Sequence, residues 1–145
     1  MGLLVTLCCL IVSPTLVAAE PTQKPPMLAV LVAQTFLRSV ADRDLKTAAP
    51  LLAQAVNFDG QQVRGTRAVR KRLARLLQRV GRRRRMRKVV VLGLEHAVRL
   101  FGSPPQRLAL PKGPLVVGFG RLQRRGLIVF LAPIEDRWRV VAVTD

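Results

Sequence analysis

The sequence predicts an α+β fold, with helices gathered toward the N-terminus and a sheet filling the C-terminal half. Two observations predict it. Apolar residues recur at helical spacing between Met27 and Val80, and after Gly81 they give way to runs rich in β-branched residues with the length of strands. A third observation sets the domain count: 145 residues, 50% of them hydrophobic, suffice for one domain held by its own core without disulfides or metal.

Before that domain lies a leader. MGLLVTLCCLIVSPTLVAAE carries no ionised side chain until Glu20 and ends its apolar run in Val17-Ala18-Ala19, the small-residue pattern of a signal peptidase site. Residues 1–19 are therefore read as a signal peptide cleaved after Ala19, which exports the chain to a periplasm or the medium. The alternative is an uncleaved membrane anchor, because Gly2 to Ala19 is just long enough to span a bilayer. Cys8 and Cys9 would leave with the leader, so the mature chain has no thiol, no disulfide and no cysteine metal site. Residues 20–26, EPTQKPP, form a Pro-rich spacer, and residues 27–145 form the domain.

The elements follow in order. Met27 to Ala41 places Ala29, Val32, Ala33, Phe36, Leu37 and Val40 at helical spacing and is the first helix. Asp44 can cap a second over LKTAAPLLAQA, which Pro50 interrupts. VNFDGQQV reads as a small hairpin, since Asp59-Gly60 tolerates the positive φ angles of a two-residue turn. Thr66 can cap a third helix whose apolar face is Val69, Leu73, Leu76, Leu77 and Val80, and whose outer side carries Lys71, Arg72, Arg75 and Arg79. Four strands come next: Arg87–Leu92, Leu115–Phe119, Leu127–Leu131 and Trp138–Val143. A short helical turn and a Pro-rich loop, GLEHAVRLFGSPPQRLALPKGP, separate the first two of these and are long enough to rim a cavity.

The strands are apolar at consecutive positions, which predicts that both faces of the sheet are covered. Three helices cover one face. A homodimer partner is the simplest cover for the other. Gly118 and Gly120, inside a strand, are expected to relieve crowding or bend the sheet.

In FLRSVADRDLKTAAPLLAQAVNFDG, in VRGTRAVRKRL and in the terminal RWRVVAVTD, this order of elements resembles the nuclear transport factor 2-like superfamily, specifically its SnoaL-like branch. The likeness covers about residues 30–145. It implies a cone in which three N-terminal helices pack on a curved, mostly antiparallel sheet, with a small apolar molecule held in the open end and dimers formed through the sheet. Enzymes of that superfamily, among them ketosteroid isomerases, scytalone dehydratases and cyclases, place Asp, His or Tyr inside the cone. This chain has no Tyr, and its predicted strand interiors hold no carboxylate or imidazole.

Acid–base chemistry needs a titratable group within hydrogen-bond reach of the substrate. Asp42 and Asp44 are read as caps, Asp59 as a turn residue, and Glu135 and Asp136 as hairpin residues. His96, the lone histidine, is the one candidate for catalysis, because imidazole is readily tuned to neutral pH. Placed on the end of a strand beside Glu95, it would not form a dyad with it. One His and scattered carboxylates assemble no metal set, and no Gly-rich phosphate loop is present, so no cofactor is expected.

Between Arg64 and Lys88 there are thirteen basic residues and no acid, within a chain of formal net charge +17. Arg82, Arg83, Arg84, Arg85, Arg87 and Lys88 are the candidates for a polyanion contact. An exported chain meets anionic lipid and polysaccharide rather than a genome. Aromatic residues in core positions weigh against base stacking, hence against specific nucleic-acid recognition. The expected function is binding of a small apolar ligand between helices and sheet, with Phe58, Phe119 and Trp138 as walls, or service as an interaction module. The alternatives are a pocket enzyme using His96 and a nonspecific binder of anionic surfaces.

Overall fold

Pro26, which has no N–H to leave unpaired, stands immediately before α1 (Met27–Asp42). In the computed structural model, residues 24–80, 86–122 and 125–145 are described; the leader and Arg82 to Arg85 lie outside them. Ala29, Ala33, Phe36, Leu37 and Val40 form the buried stripe of α1. The helix stops where Arg43 adopts φ 59° and the following N–H of Asp44 returns to the Ser39 carbonyl at 2.8 Å.

Asp44 then caps α2 (Leu45–Ala48), its Oδ1 accepting the Thr47 N–H at 3.0 Å while the Thr47 hydroxyl donates to Oδ2. These two hydrogen bonds from Thr47, the hydroxyl's first, hold the Asp44 carboxyl below the usual carboxylate range. The helix expected through Ala55 is shorter. After a 3-10 turn at Ala49–Leu51 containing Pro50, the residues Leu-Ala-Gln-Ala open β1 (Leu52–Phe58) instead. Pairing with two neighbouring strands outweighs the weak helical pattern of this segment.

β2 (Gln61–Arg64) returns through the expected hairpin, with Asp59 and Gly60 at φ 52° and 92°. In α3 (Thr66–Arg79) the buried residues are Val69, Leu73 and Leu77. Its N-cap is Gly65 rather than Thr66, which is already helical. β3 (Met86–Gly93), α4 (Leu94–Phe101), β4 (Val116–Leu122), β5 (Arg125–Ile134) and β6 (Arg137–Thr144) complete the chain, and the strands run longer than expected. Glu135 and Asp136, at φ 48° and 60°, make the tight turn between β5 and β6.

The sheet has the order β2-β1-β6-β5-β4-β3, antiparallel except where β1 runs parallel to β6. It is curved, and register shifts in β3–β4 and β5–β6 mark bulges that increase its bend. The α+β class with helices packed on a curved, mostly antiparallel sheet is therefore as expected. α1 crosses the strands so closely that a Cβ on Gly118 would lie 2.9 Å from Val129 and 3.2 Å from Ala33. One on Gly120 would lie 2.4 Å from the Met86 sulfur. Gly118 requires glycine for space, as its place inside a strand suggested, whereas at Gly120 the close atoms are the end of the flexible Met86 side chain, which can shift.

Because Gly118 and Gly120 face α1, Val117, Phe119 and Arg121 face the other way, together with their cross-strand neighbours Phe130 and Ile128. The chain covers part of this second face with α4 and with the segment after it, where Leu108 is buried. The short helical turn expected in this segment is the eight-residue helix α4, a fourth beside the three N-terminal helices.

Candidate functional site

The space between the first three helices and the sheet is largely filled. Phe36, Leu37, Leu73, Val129 and Leu131 are fully buried or nearly so, and Phe58 is only 3% exposed. A cavity of about 180 Å³ remains at one end, between Leu76, Arg79 and Val80 of the α3 end and Leu122, Arg125 and Leu127 of the β4–β5 hairpin. Asp145 closes it and lies 3.8 Å from Arg125.

A more apolar cleft of about 250 Å³ lies on the opposite face, beneath α4. Its floor is Val117 and Phe119 of β4 with Ile128 and Phe130 of β5. Leu94, Ala97, Val98 and Phe101 form the roof, which the amphipathic spacing of α4 turns toward the sheet. The Phe101 and Phe119 rings meet with centroids 4.9 Å apart at 46°. Phe101 is nevertheless 66% exposed, and Leu100 beside it 58%. Burying Phe101 in place of solvent would gain roughly 1.5–3 kcal/mol, so this wall is incompletely used by the fold.

The far wall is the segment Gly102 to Arg107. Asn57, a buried polar residue on β1, fixes it: Nδ2 donates to the Arg107 carbonyl at 3.1 Å, while Oδ1 accepts the Gly60 N–H at 2.7 Å. One side chain thus ties the hairpin turn to the wall of the cleft. The Arg107 stem rests on Gly60, where a Cβ would meet it at 3.3 Å. Sequence reading passed over Asn57 and Arg107. A single Asn in a strand is a weak signal, and no local pattern announces a contact across fifty residues.

The aromatic residues expected to form one pocket are placed in three. Phe119 lines the cleft. Phe58 faces α3, beside Arg72, Arg75 and Leu76. Trp138 borders a shallow depression of about 520 Å³ near the start of α1, and His96 and Glu95 border it too. His96 stands on α4 rather than on a strand, and it does not line the cleft. Phe119 stands on β4 and Trp138 on β6, and the order of the strands in the sheet separates them, whereas the sequence gives only their shared apolar character. Phe101, grouped in the sequence with core aromatics, is the exposed one.

Of the basic candidates, Arg87 and Lys88 are exposed on β3, and Lys88 occupies the bulge at φ 50°. Arg82, Arg83, Arg84 and Arg85 lie outside the described residues. On α3, Arg67, Arg70, Lys71, Arg75 and Arg79 are all exposed, along a helix without an acid. Among the described residues, no helix is long and apolar enough to cross a membrane and no cluster of His, Cys, Asp or Glu could hold a metal ion.

No protein-family model matches the chain. No curated protein matches it either. Solved structures do. It is similar to a protein of unknown function with a cystatin-like fold from Nostoc punctiforme (12% identity, TM-score 0.48, covering 81% of this chain and 86% of that one). It is similar to a nuclear transport factor 2-like protein of unknown function from Pseudomonas putida (11%, TM-score 0.46, 79% and 80%). A candidate ketosteroid isomerase from Kribbella flavida is also similar (17%, TM-score 0.48, 84% and 78%).

Proposed function

We propose that this chain is an exported, non-catalytic domain of nuclear transport factor 2-like architecture that binds a small apolar molecule in the cleft beneath α4. The observation that carries the reading is the cleft itself: an apolar floor of Val117, Phe119, Ile128 and Phe130 under a roof whose Phe101 stays 66% exposed. Its volume of about 250 Å³ accommodates roughly eight groups the size of a water molecule at about 30 Å³ each, a short chain or a fused ring pair. The leader sequence supports export, and the mature chain acts through contact rather than proton transfer. The experiment is titration with the neutral naphthalene dye prodan, whose body is a fused ring pair. Saturable binding with enhanced emission is expected, weakened about tenfold by Phe119→Ala; absence of binding to the folded protein refutes the proposal.

A second reading rests on a different observation, the row of exposed cations on α3. Arg67, Arg70, Lys71, Arg75 and Arg79 suit an anionic envelope surface, each worth about 1 kcal/mol near such a membrane. Vesicle co-sedimentation tests it. Binding to phosphatidylglycerol vesicles should be lost in Arg70→Glu/Arg75→Glu and abolished by about 0.5 M salt. Equal binding to neutral vesicles would overturn it.

A further inference from the structure

The cleft is not uniformly apolar, and the position of its charges says what kind of molecule it suits. Among the described residues, two charged ones line it, Arg107 and Asp145. Asp145 has a cation 3.8 Å away in Arg125, which offsets its charge. Arg107 is held differently. Its backbone is fixed by Asn57, its aliphatic stem is seated on Gly60, and the residue lines the cleft, so its side chain stands beside the cleft on contacts already made. The hydroxyls of Ser103 and Thr144 also belong to the lining.

We infer that the ligand of this cleft is an amphiphile, an apolar body lying on Phe119 and Ile128 with an anionic head, such as a carboxylate, held at the rim by Arg107. The inference rests on the ligand-binding reading above and narrows it to a chemical class. A planar guanidinium matches a carboxylate with two parallel hydrogen bonds, which a neutral head cannot make. The rim is solvated, so the preference it confers is moderate and falls with salt.

Decanoate and decanol have the same chain length and differ in the head, which makes them suitable probes; each is titrated as a competitor of prodan. Decanoate is expected to bind about tenfold more tightly than decanol at about 0.05 M salt, with the gap narrowing as salt rises. Arg107→Gln should bring decanoate down to the affinity of decanol and leave decanol within twofold. The residue is exposed, so this variant folds, and circular dichroism verifies it. Equal affinity for the two probes, or an unchanged decanoate affinity in Arg107→Gln, overturns the head-group assignment while the apolar cleft stands. If the folded protein takes neither probe nor dye, the ligand-binding reading falls as well.

Discussion

Asn57→Ala is the perturbation that best separates the architecture of the cleft from that of the core. The side chain is 2% exposed and makes two hydrogen bonds, to the Arg107 carbonyl and from the Gly60 N–H. Each such bond contributes about 1 kcal/mol net, and the small void left by the amide adds to the loss. The expected destabilisation is about 2–3 kcal/mol, a fall in Tm of roughly 10 °C for a domain of this size. Urea unfolding followed by Trp138 fluorescence measures it, because Trp138 lies in another depression and reports global unfolding rather than the cleft. Hydrogen exchange supplies the local readout: amides of residues 102–110 should lose protection well before those of β4 and β5. A loss below about 0.5 kcal/mol, or uniform deprotection across the sheet, would refute the claim that Asn57 ties this segment to β1.

Other consequences are equally direct. Gly118→Ala should cost about 1–3 kcal/mol by overpacking, because the new methyl would approach Val129 and Ala33 on an already filled face; thermal melts would show it. The Asp44 carboxyl is held below the usual carboxylate range by Thr47, so its contribution to stability is present above the ordinary value of 3.8 and is lost as pH falls through the lower folded value. Asp44→Asn should therefore flatten that part of the acid limb in pH-dependent unfolding, and an unchanged limb would count against the cap. His96→Ala should leave prodan binding within twofold, since His96 borders a different depression; a larger loss in the titration would join the two sites.

Much of this architecture is legible in residue order because it depends on neighbours in the chain. The period of Ala29, Ala33, Phe36, Leu37 and Val40 makes α1, Asp59-Gly60 makes its turn, and the β-branched runs after Met86 make strands. Even the need for glycine at 118 could be anticipated from its place inside a strand. The local chemistry of Leu52 to Ala55 was misleading, since the segment satisfies a helical pattern yet gains more by pairing in the sheet.

The composition of the cleft is another matter. Phe119, Phe58 and Trp138 have similar apolar character, and only the register of the sheet and the path of α4 send them to three different places. Asn57 and Arg107 meet across fifty residues, and a partnership of that range leaves no period or motif along the chain. By itself the sequence determined the elements, the basic surplus and the shortage of proton-transferring groups, all properties of side chains and their immediate order. Tertiary structure alone decided which face carries the cleft and which aromatic ring remains exposed, because burial depends on where distant strands and one short helix finally lie against one another.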